Sequence, residues 1–173
     1  MKSVCVLAFV LALSSPGFAF AMKLTSPDIQ DGASIAREQV YTRCGGENVS
    51  PALAWSGVPA NTKSLALSVI DPDARPAGWT HWLIVDLPAS TSSLDKGAAL
   101  PPGARAMKND FGEAKYDGPC PPKGSGVHHY HFTLWALRAS PALAEGAKPK
   151  AITAALEKQA IAKATLTGTY EIR

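Results

Sequence analysis

The sequence predicts a mainly β domain in which two antiparallel sheets pack as a sandwich and one short helix lies near the C-terminus. Three segments alternate with the period of a β-strand, and Gly, Pro, Asn and Asp interrupt the chain at short intervals. Only one segment has the apolar spacing of a helix. Of the 173 residues, 46% are hydrophobic and 18% are charged, which is ordinary for one soluble globular domain.

The N-terminal segment predicts export. Lys2 precedes an apolar run from Val4 to Leu13, and residues 19–21 (Ala-Phe-Ala) have the small-residue pattern of a cleavage site. We interpret residues 1–21 as a signal peptide and residues 22–173 as the folded domain, located in the periplasm or secreted. A membrane span needs about 20 apolar residues, so we expect no transmembrane segment in the mature chain. An uncleaved anchor is the alternative.

Charge and cysteine content narrow the possible partners and compartment. The formal net charge is +3, and the basic residues are scattered along the chain. A nucleic-acid-binding protein is expected to have a basic stripe, so no nucleic-acid partner is predicted. Removal of the signal peptide leaves two cysteines, Cys44 and Cys120. An even pair in an oxidising compartment favours a disulfide bond, with two buried free thiols as the alternative.

The first two strands are predicted to carry polar groups on apolar faces. On one face of SLALSVID lie Leu65, Leu67, Val69 and Asp71. On one face of WTHWLIVDLP lie Trp79, His81, Leu83, Val85 and Leu87. Because a carboxylate at the end of an apolar face needs a partner, Asp71 is expected to orient a histidine as a hydrogen-bond donor. For His81 the alternative is a core histidine bonded to a carbonyl or a carboxylate.

The third strand, HHYHFTLWAL, separates its three histidines. Alternation places His128 and Tyr130 on one face and His129 and His131 on the other. Residues 94–122, which lie before this strand, are rich in Gly, Pro, Asn and Asp and predict a long loop. Long loops in compact domains are usually functional.

The helix is predicted from Pro149 to Ala164. This segment has a proline near its start and is rich in alanine. Its apolar face consists of Ile152, Ala155, Leu156 and Ala160. A final strand, LTGTYEI, is predicted to follow.

Enzymes with a serine or cysteine nucleophile are weakly supported. The G-x-S-x-G motif is absent, and Ser125 in GSGVH lacks the strand–turn–helix setting of a nucleophile elbow. Cys120 precedes two prolines and is expected to pair with Cys44, which removes its thiol.

Metal binding is considered for two groups of residues. His129 and His131 have the spacing of metal ligands on a strand, but no carboxylate follows them, and a half-exposed strand face is the alternative. The second group combines Asp71 or Asp73 with the two remaining histidines, His81 and His128. No metal and no other cofactor is predicted.

An ordered set of segments resembles the phosphatidylethanolamine-binding protein (PEBP) family, and more closely its bacterial Raf-kinase-inhibitor-like branch. The segments are CGGENVSPALAW, DPDAR, GWTHWLIVDLP, NDFG, YDGPCPPKGSGVHHYHFTLWAL and the closing helix and strand. They cover nearly all of the mature chain, and their combination is specific although each alone is weak. The resemblance implies a PEBP-like Greek-key β-sandwich over residues 22–173.

The resemblance also implies a small pocket for phosphate-like anions. Matched motif by motif, the ligand-binding residues are Asp71, Asp73, His81, Gly118, Pro119, Pro121, Pro122, His128 and Tyr130. We therefore predict an exported, non-enzymatic protein that binds phosphate or a phosphoryl head group. The alternatives are a protein-interaction module that inhibits a kinase or a protease through the pocket rim, and a metal-assisted hydrolase.

One departure from the family pattern lies at the predicted rim. The D-P-D-A-P motif of the family ends in Arg75 here, and the proline is delayed to Pro76. We hypothesise that Arg75 adds a cation at the rim and strengthens anion binding. Because an unperturbed histidine titrates near pH 6.5, anion affinity is predicted to fall as the pH rises through that range. The oligomeric state is left open, with a homodimer among the options.

Overall fold

The computed structural model describes residues 21–74, 78–144 and 146–173. The strands are β1 (Lys23–Thr25), β2 (Leu53–Ser56), β3 (Ser64–Asp71), β4 (Trp79–Leu87), β5 (Ser93–Leu94), β6 (Arg105–Ala106), β7 (His128–Leu137) and β8 (Ala160–Tyr170). The helix is α1 (Pro149–Gln159), and two short 3-10 helices span Arg37–Gln39 and Thr42–Cys44. The predicted signal peptide, apart from Ala21, and the predicted rim residue Arg75 lie outside the described residues.

Two antiparallel sheets form the sandwich. The small sheet has the strand order β1-β2-β5, and the large sheet has the order β6-β4-β3-β7-β8. Apolar side chains from both sheets meet between them, for example Leu24 and Leu53 from the small sheet and Leu67, Phe132 and Leu134 from the large sheet. The predicted mainly β class, with two antiparallel sheets and one short helix, is confirmed.

Helix α1 covers the outer face of the large sheet. Ile152 and Leu156, which are four residues apart and so lie on the same side of the helix, are fully buried there. They pack against the sheet residues Ala66, Leu83, Val85, Trp135 and Leu137. Within the described part of the chain, no helix is long and apolar enough to cross a membrane.

The helix ends earlier than predicted. Helix α1 stops at Gln159 and β8 begins at Ala160, so the helical prediction for residues 160–164 is wrong. Alanine favours a helix by only a few tenths of a kcal/mol over most other residues. Ala162 and Ala164 instead lie in register with β7, where ladder hydrogen bonds and sheet packing outweigh that preference.

Strand β4 does not keep one face throughout. Leu83 and Val85 pack toward α1, so the prediction that they share the face of His81 is wrong. The register between β3 and β4 shifts twice, once at His81 and once near Asp86, which has a positive φ of 57°. Each shift is a β-bulge, in which one extra residue interrupts the alternation of faces. The first bulge leaves His81 beside Asp71 at the end of the sandwich.

Candidate functional site

The ends of three neighbouring strands surround a cavity of about 240 Å³. Strand β3 ends at this cavity, and β4 and β7 begin there, because adjacent strands run antiparallel. The lining consists of Asp71, Ala74, Trp79, His81, Phe111, Cys120, Pro121, Pro122, His128 and Tyr130. The structure thus brings together these predicted site residues: Asp71, His81, Pro121, Pro122, His128 and Tyr130.

Three other predicted site residues, Asp73, Gly118 and Pro119, lie outside this lining. The backbone N–H of Asp73 donates to Asp71 Oδ1 at 2.8 Å, while its own carboxylate accepts from the backbone N–H and from Nδ1 of the exposed His129. Those hydrogen bonds lower the pKa of Asp73. Gly118 and Pro119 are buried and directly precede the lining residue Cys120. Asp73 therefore contacts the lining residue Asp71 from outside the lining.

His128 forms a buried ion pair with Asp71. Nδ1 of His128 lies 2.7 Å from Asp71 Oδ2, and the two residues are only 4% and 2% exposed. On the other side of the ring, Nε2 lies 2.9 Å from Ser125 Oγ, whose hydroxyl donates to the Pro122 carbonyl at 2.7 Å. The ring of His128 is thereby held between Asp71 and Ser125.

The chain of contacts from Ser125 through His128 to Asp71 has the order of a hydrolase triad. In a triad, however, the histidine nitrogen beside the serine must accept the hydroxyl hydrogen. Here the Ser125 hydroxyl donates to Pro122 instead. The arrangement orients His128 between Asp71 and Ser125.

Tyr130 supplies a hydroxyl in the interior of the site. Its side chain is 1% exposed, and its ring lies edge-on to the His81 ring with the centroids 5.1 Å apart. Burial, and secondly the Asp71 carboxylate, raise the pKa of Tyr130 far above its ordinary value. The phenol therefore stays protonated and keeps its O–H.

A backbone carbonyl orients His81. Nδ1 of His81 lies 2.6 Å from the carbonyl oxygen of Asp117, and because a carbonyl only accepts, Nδ1 carries the hydrogen. Burial lowers the pKa of His81, opposed by the Asp117 backbone and by the Asp71 charge. The lowered pKa favours the uncharged ring at neutral pH. The histidine that Asp71 orients is His128 rather than His81.

A buried network that the sequence did not reveal holds this carbonyl in place. Nδ2 of Asn109 donates to the His81 carbonyl at 3.0 Å and to Asp117 Oδ2 at 2.8 Å. Asn48 donates to Asp117 Oδ1 at 3.2 Å and accepts the Gly118 N–H at 2.8 Å. Asn109 and Asn48 lie in the NDFG and CGGENVSP segments. Because these segments lack strand periodicity, the sequence did not predict where their polar side chains lie.

Aromatic rings form the remaining wall of the cavity. The Phe111 ring contacts Trp79 at 5.4 Å edge-on, and it also contacts His81 at 5.4 Å and Tyr41 at 5.1 Å between centroids. Phe111 belongs to the NDFG segment and was not a predicted site residue. The described lining residues include no lysine and no arginine.

The proline-rich wall is attached to the 3-10 segment by a disulfide bond between Cys44 and Cys120. Their Cα atoms are 5.6 Å apart. The Tyr41 N–H also donates to the Pro119 carbonyl at 3.0 Å. Pro121 and Pro122, which follow Cys120 directly, are therefore held against the cavity from the side of the second 3-10 helix.

Two alternatives to this cavity have less support. The described ranges contain no cluster of three or more His, Cys, Asp or Glu side chains suited to a metal ion. A wider depression of about 490 Å³ lies beside Trp82 and Tyr116. Its lining contains Lys115 and Asn48 but no buried ion pair, so the smaller cavity is the stronger candidate site.

The lowered pKa of His81 predicts a loss of stability in acid. The unfolded chain protonates this histidine near pH 6.5, whereas the folded chain resists protonation, so falling pH favours the unfolded state. Between pH 6.5 and 5.5 we expect His81 to contribute a loss of up to about 1 kcal/mol. Urea unfolding of the wild type and of His81→Gln at pH 7.5, 6.5 and 5.5 measures this. An equal pH slope in both proteins contradicts the prediction.

Comparison with known proteins places these features in a family. The sequence profile described as phosphatidylethanolamine-binding protein matches residues 25–171. UPF0098 protein YbcL of Escherichia coli K12 is 38% identical over 183 aligned positions and covers 100% of both chains. LppC of Mycobacterium tuberculosis H37Rv, which is named as a lipoprotein, is 40% identical over 87% of this chain and 72% of its own.

A solved structure of one of these relatives is also similar to this chain. The crystal structure of E. coli YbcL, described as a new member of the mammalian PEBP family, superposes with a TM-score of 0.84 at 39% identity. It covers 89% of this chain and 100% of the YbcL chain. Because the profile spans most of the sequence and the YbcL match extends over all of it, the chain belongs to the phosphatidylethanolamine-binding protein family, in the bacterial branch that contains YbcL.

Proposed function

We propose that the protein binds a small anion, phosphate or a phosphoryl head group, in the cavity at the end of the sandwich. The observation that carries the proposal is the buried His128–Asp71 pair, with Ser125 on the other side of the histidine ring. His128 and the Tyr130 hydroxyl line a cavity with aromatic and proline walls, where a protonated His128 would attract an anion. In such surroundings the electrostatic attraction is screened less than in water.

We further propose that the protein is exported and acts in the periplasm or outside the cell. The predicted signal peptide supports this, as does the lipoprotein name of the relative LppC. The Cys44–Cys120 disulfide is a third argument, since disulfides persist mainly in oxidising compartments.

Calorimetry with inorganic phosphate tests the binding proposal. We expect one site per chain at low ionic strength, and a fall in affinity of about 5- to 10-fold for Tyr130→Phe, which removes only a hydrogen-bonding hydroxyl. Tyr170→Phe is the matched control, because Tyr170 lies outside the cavity lining and should bind as the wild type does. Absence of any binding heat, together with no rise in melting temperature at high phosphate, contradicts the proposal.

A further inference from the structure

The disulfide bond between Cys44 and Cys120 joins two segments that lie outside the β-sheets. Cys44 ends the second 3-10 helix, and Cys120 lies in residues 117–122, which we call the wall segment. Both cysteines are partly exposed, so a thiol in solution can reach them. Within the described part of the chain, neither cysteine belongs to the two clusters of buried apolar side chains that join the sheets and α1. The apolar core therefore does not include this bond.

The wall segment contacts the Tyr130 side chain through its backbone. The N–H of Cys120 donates to the Tyr130 hydroxyl, which also hydrogen-bonds the Asp71 carboxylate. Cys120 and the two prolines that follow it line the cavity. One residue thus carries a disulfide sulfur and also positions a hydroxyl of the cavity, so a change at the sulfur moves the partner of that hydroxyl.

The same segment positions His81. The Asp117 carbonyl accepts from Nδ1 of His81 at 2.6 Å, and the Gly118 backbone forms a second hydrogen bond with this histidine. Backbone groups within residues 117–120 therefore position one cavity side chain on β4 and another on β7. A displacement of the wall segment changes the geometry at both side chains together.

The wall segment has few backbone donors with which to attach itself to the rest of the protein. Prolines occupy positions 119, 121 and 122, and a proline has no N–H to donate. On the side of the 3-10 helices, the Tyr41 N–H donates to the Pro119 carbonyl at 3.0 Å, and the Gly118 N–H donates to Asn48 Oδ1 at 2.8 Å. The bond to Cys44 supplies attachment that hydrogen bonds at the three prolines cannot.

We propose that the Cys44–Cys120 disulfide is a redox switch for the cavity: the oxidised protein binds the anion, and reduction by a dithiol weakens binding while the domain stays folded. This inference rests on the proposed anion-binding function and adds a form of regulation to it. Disulfides persist in exported compartments and are reduced in the cytosol, so the switch restricts tight binding to the exported protein.

The chemistry of the switch is thiol–disulfide exchange. A thiolate of the reductant attacks one cysteine sulfur and forms a mixed disulfide, which releases the other cysteine of the protein. The second thiolate of the reductant then displaces the remaining cysteine and closes a disulfide within the reductant. Two electrons and two protons pass from the dithiol to the two cysteines.

Calorimetry with inorganic phosphate on the oxidised and the reduced protein tests the switch. We expect reduction by dithiothreitol, a small dithiol, to lower phosphate affinity about 5- to 20-fold, because the released wall segment must be ordered again on binding. The double variant Cys44→Ser/Cys120→Ser should bind as weakly as the reduced wild type. As the matched control, dithiothreitol should not change the affinity of that variant. Circular dichroism verifies that each protein is folded at the temperature of the measurement.

A second measurement distinguishes a switch from a bond that only stabilises the fold. Loss of a cross-link over 76 positions lowers the melting temperature in either case. For a switch, thermodynamic linkage also requires saturating phosphate to make the disulfide harder to reduce, by the same factor as reduction weakens binding. Alkylation of the thiols and mass spectrometry, at graded ratios of reduced to oxidised dithiothreitol, measure the shift.

The outcomes separate this inference from the proposed function. Equal phosphate affinity of the folded oxidised and reduced proteins overturns the switch and leaves anion binding intact. If reduction unfolds the protein at the temperature of the measurement, the disulfide is a requirement of the fold, and the switch is also wrong. If the oxidised protein does not bind phosphate, the proposed function itself fails and the switch fails with it.

Discussion

Replacement of Asn109 by alanine is expected to lower the free energy of unfolding by about 3–4 kcal/mol, because several buried polar groups lose their partners together. Asn109 is 3% exposed and donates to the His81 carbonyl and to Asp117 Oδ2. Its Oδ1 accepts the backbone N–H groups of Phe111 and Glu113 at 2.9 and 3.0 Å. Urea unfolding monitored by tryptophan fluorescence measures the change.

The same substitution should weaken phosphate binding. Without Asn109, the fully buried Asp117 carboxylate loses a hydrogen bond, and the carbonyl that orients His81 is held less firmly. Asn61→Ala, in an exposed turn, is the control and should change the free energy of unfolding by less than about 0.5 kcal/mol. A loss below about 1 kcal/mol for Asn109→Ala, with unchanged phosphate affinity, would show that the network does not position the site.

Strand periodicity was enough to locate the three central strands of the large sheet. The alternating segments correspond to β3, β4 and β7, and the proline at position 149 begins the helix as predicted. The strands of the small sheet and β6 are two to four residues long, too short to produce a readable period. The bulges in β4 and the helix–strand boundary at Gln159 depend on pairing with other strands, which no local window of sequence contains.

The site could be predicted only where it follows from strand geometry or from the family resemblance. Alternation placed His128 and Tyr130 on one face, and the end of an apolar face identified Asp71. The direction of hydrogen bonds could not be predicted in this way. Asn48 and Asp117, which share a hydrogen bond, are 69 positions apart in sequence. The carbonyl that accepts from Nδ1 of His81 belongs to a loop, and no sequence periodicity predicts the position of a loop.

Gly118→Ala is expected to destabilise the protein by about 3 kcal/mol, the upper end of the usual cost of overpacking. Gly118 was predicted as a ligand-binding residue, and it lies outside the described cavity lining. A Cβ at this position would lie 1.9 Å from the Gln39 carbonyl oxygen and 2.9 Å from the Tyr41 nitrogen, which are backbone atoms that cannot rotate away. The wall would have to move outward, and Tyr41 and Pro119 would lose their hydrogen bond.

The control for this substitution is Gly103→Ala, where nothing lies within 4 Å of the added carbon. Gly103 has a positive φ of 89°, so its cost should be confined to backbone strain of about 1–2 kcal/mol. Because the moved wall carries Pro121 and Pro122, Gly118→Ala should also weaken phosphate binding, whereas Gly103→Ala should not. If both variants lose the same stability and both retain phosphate affinity, close packing at Gly118 does not shape the cavity.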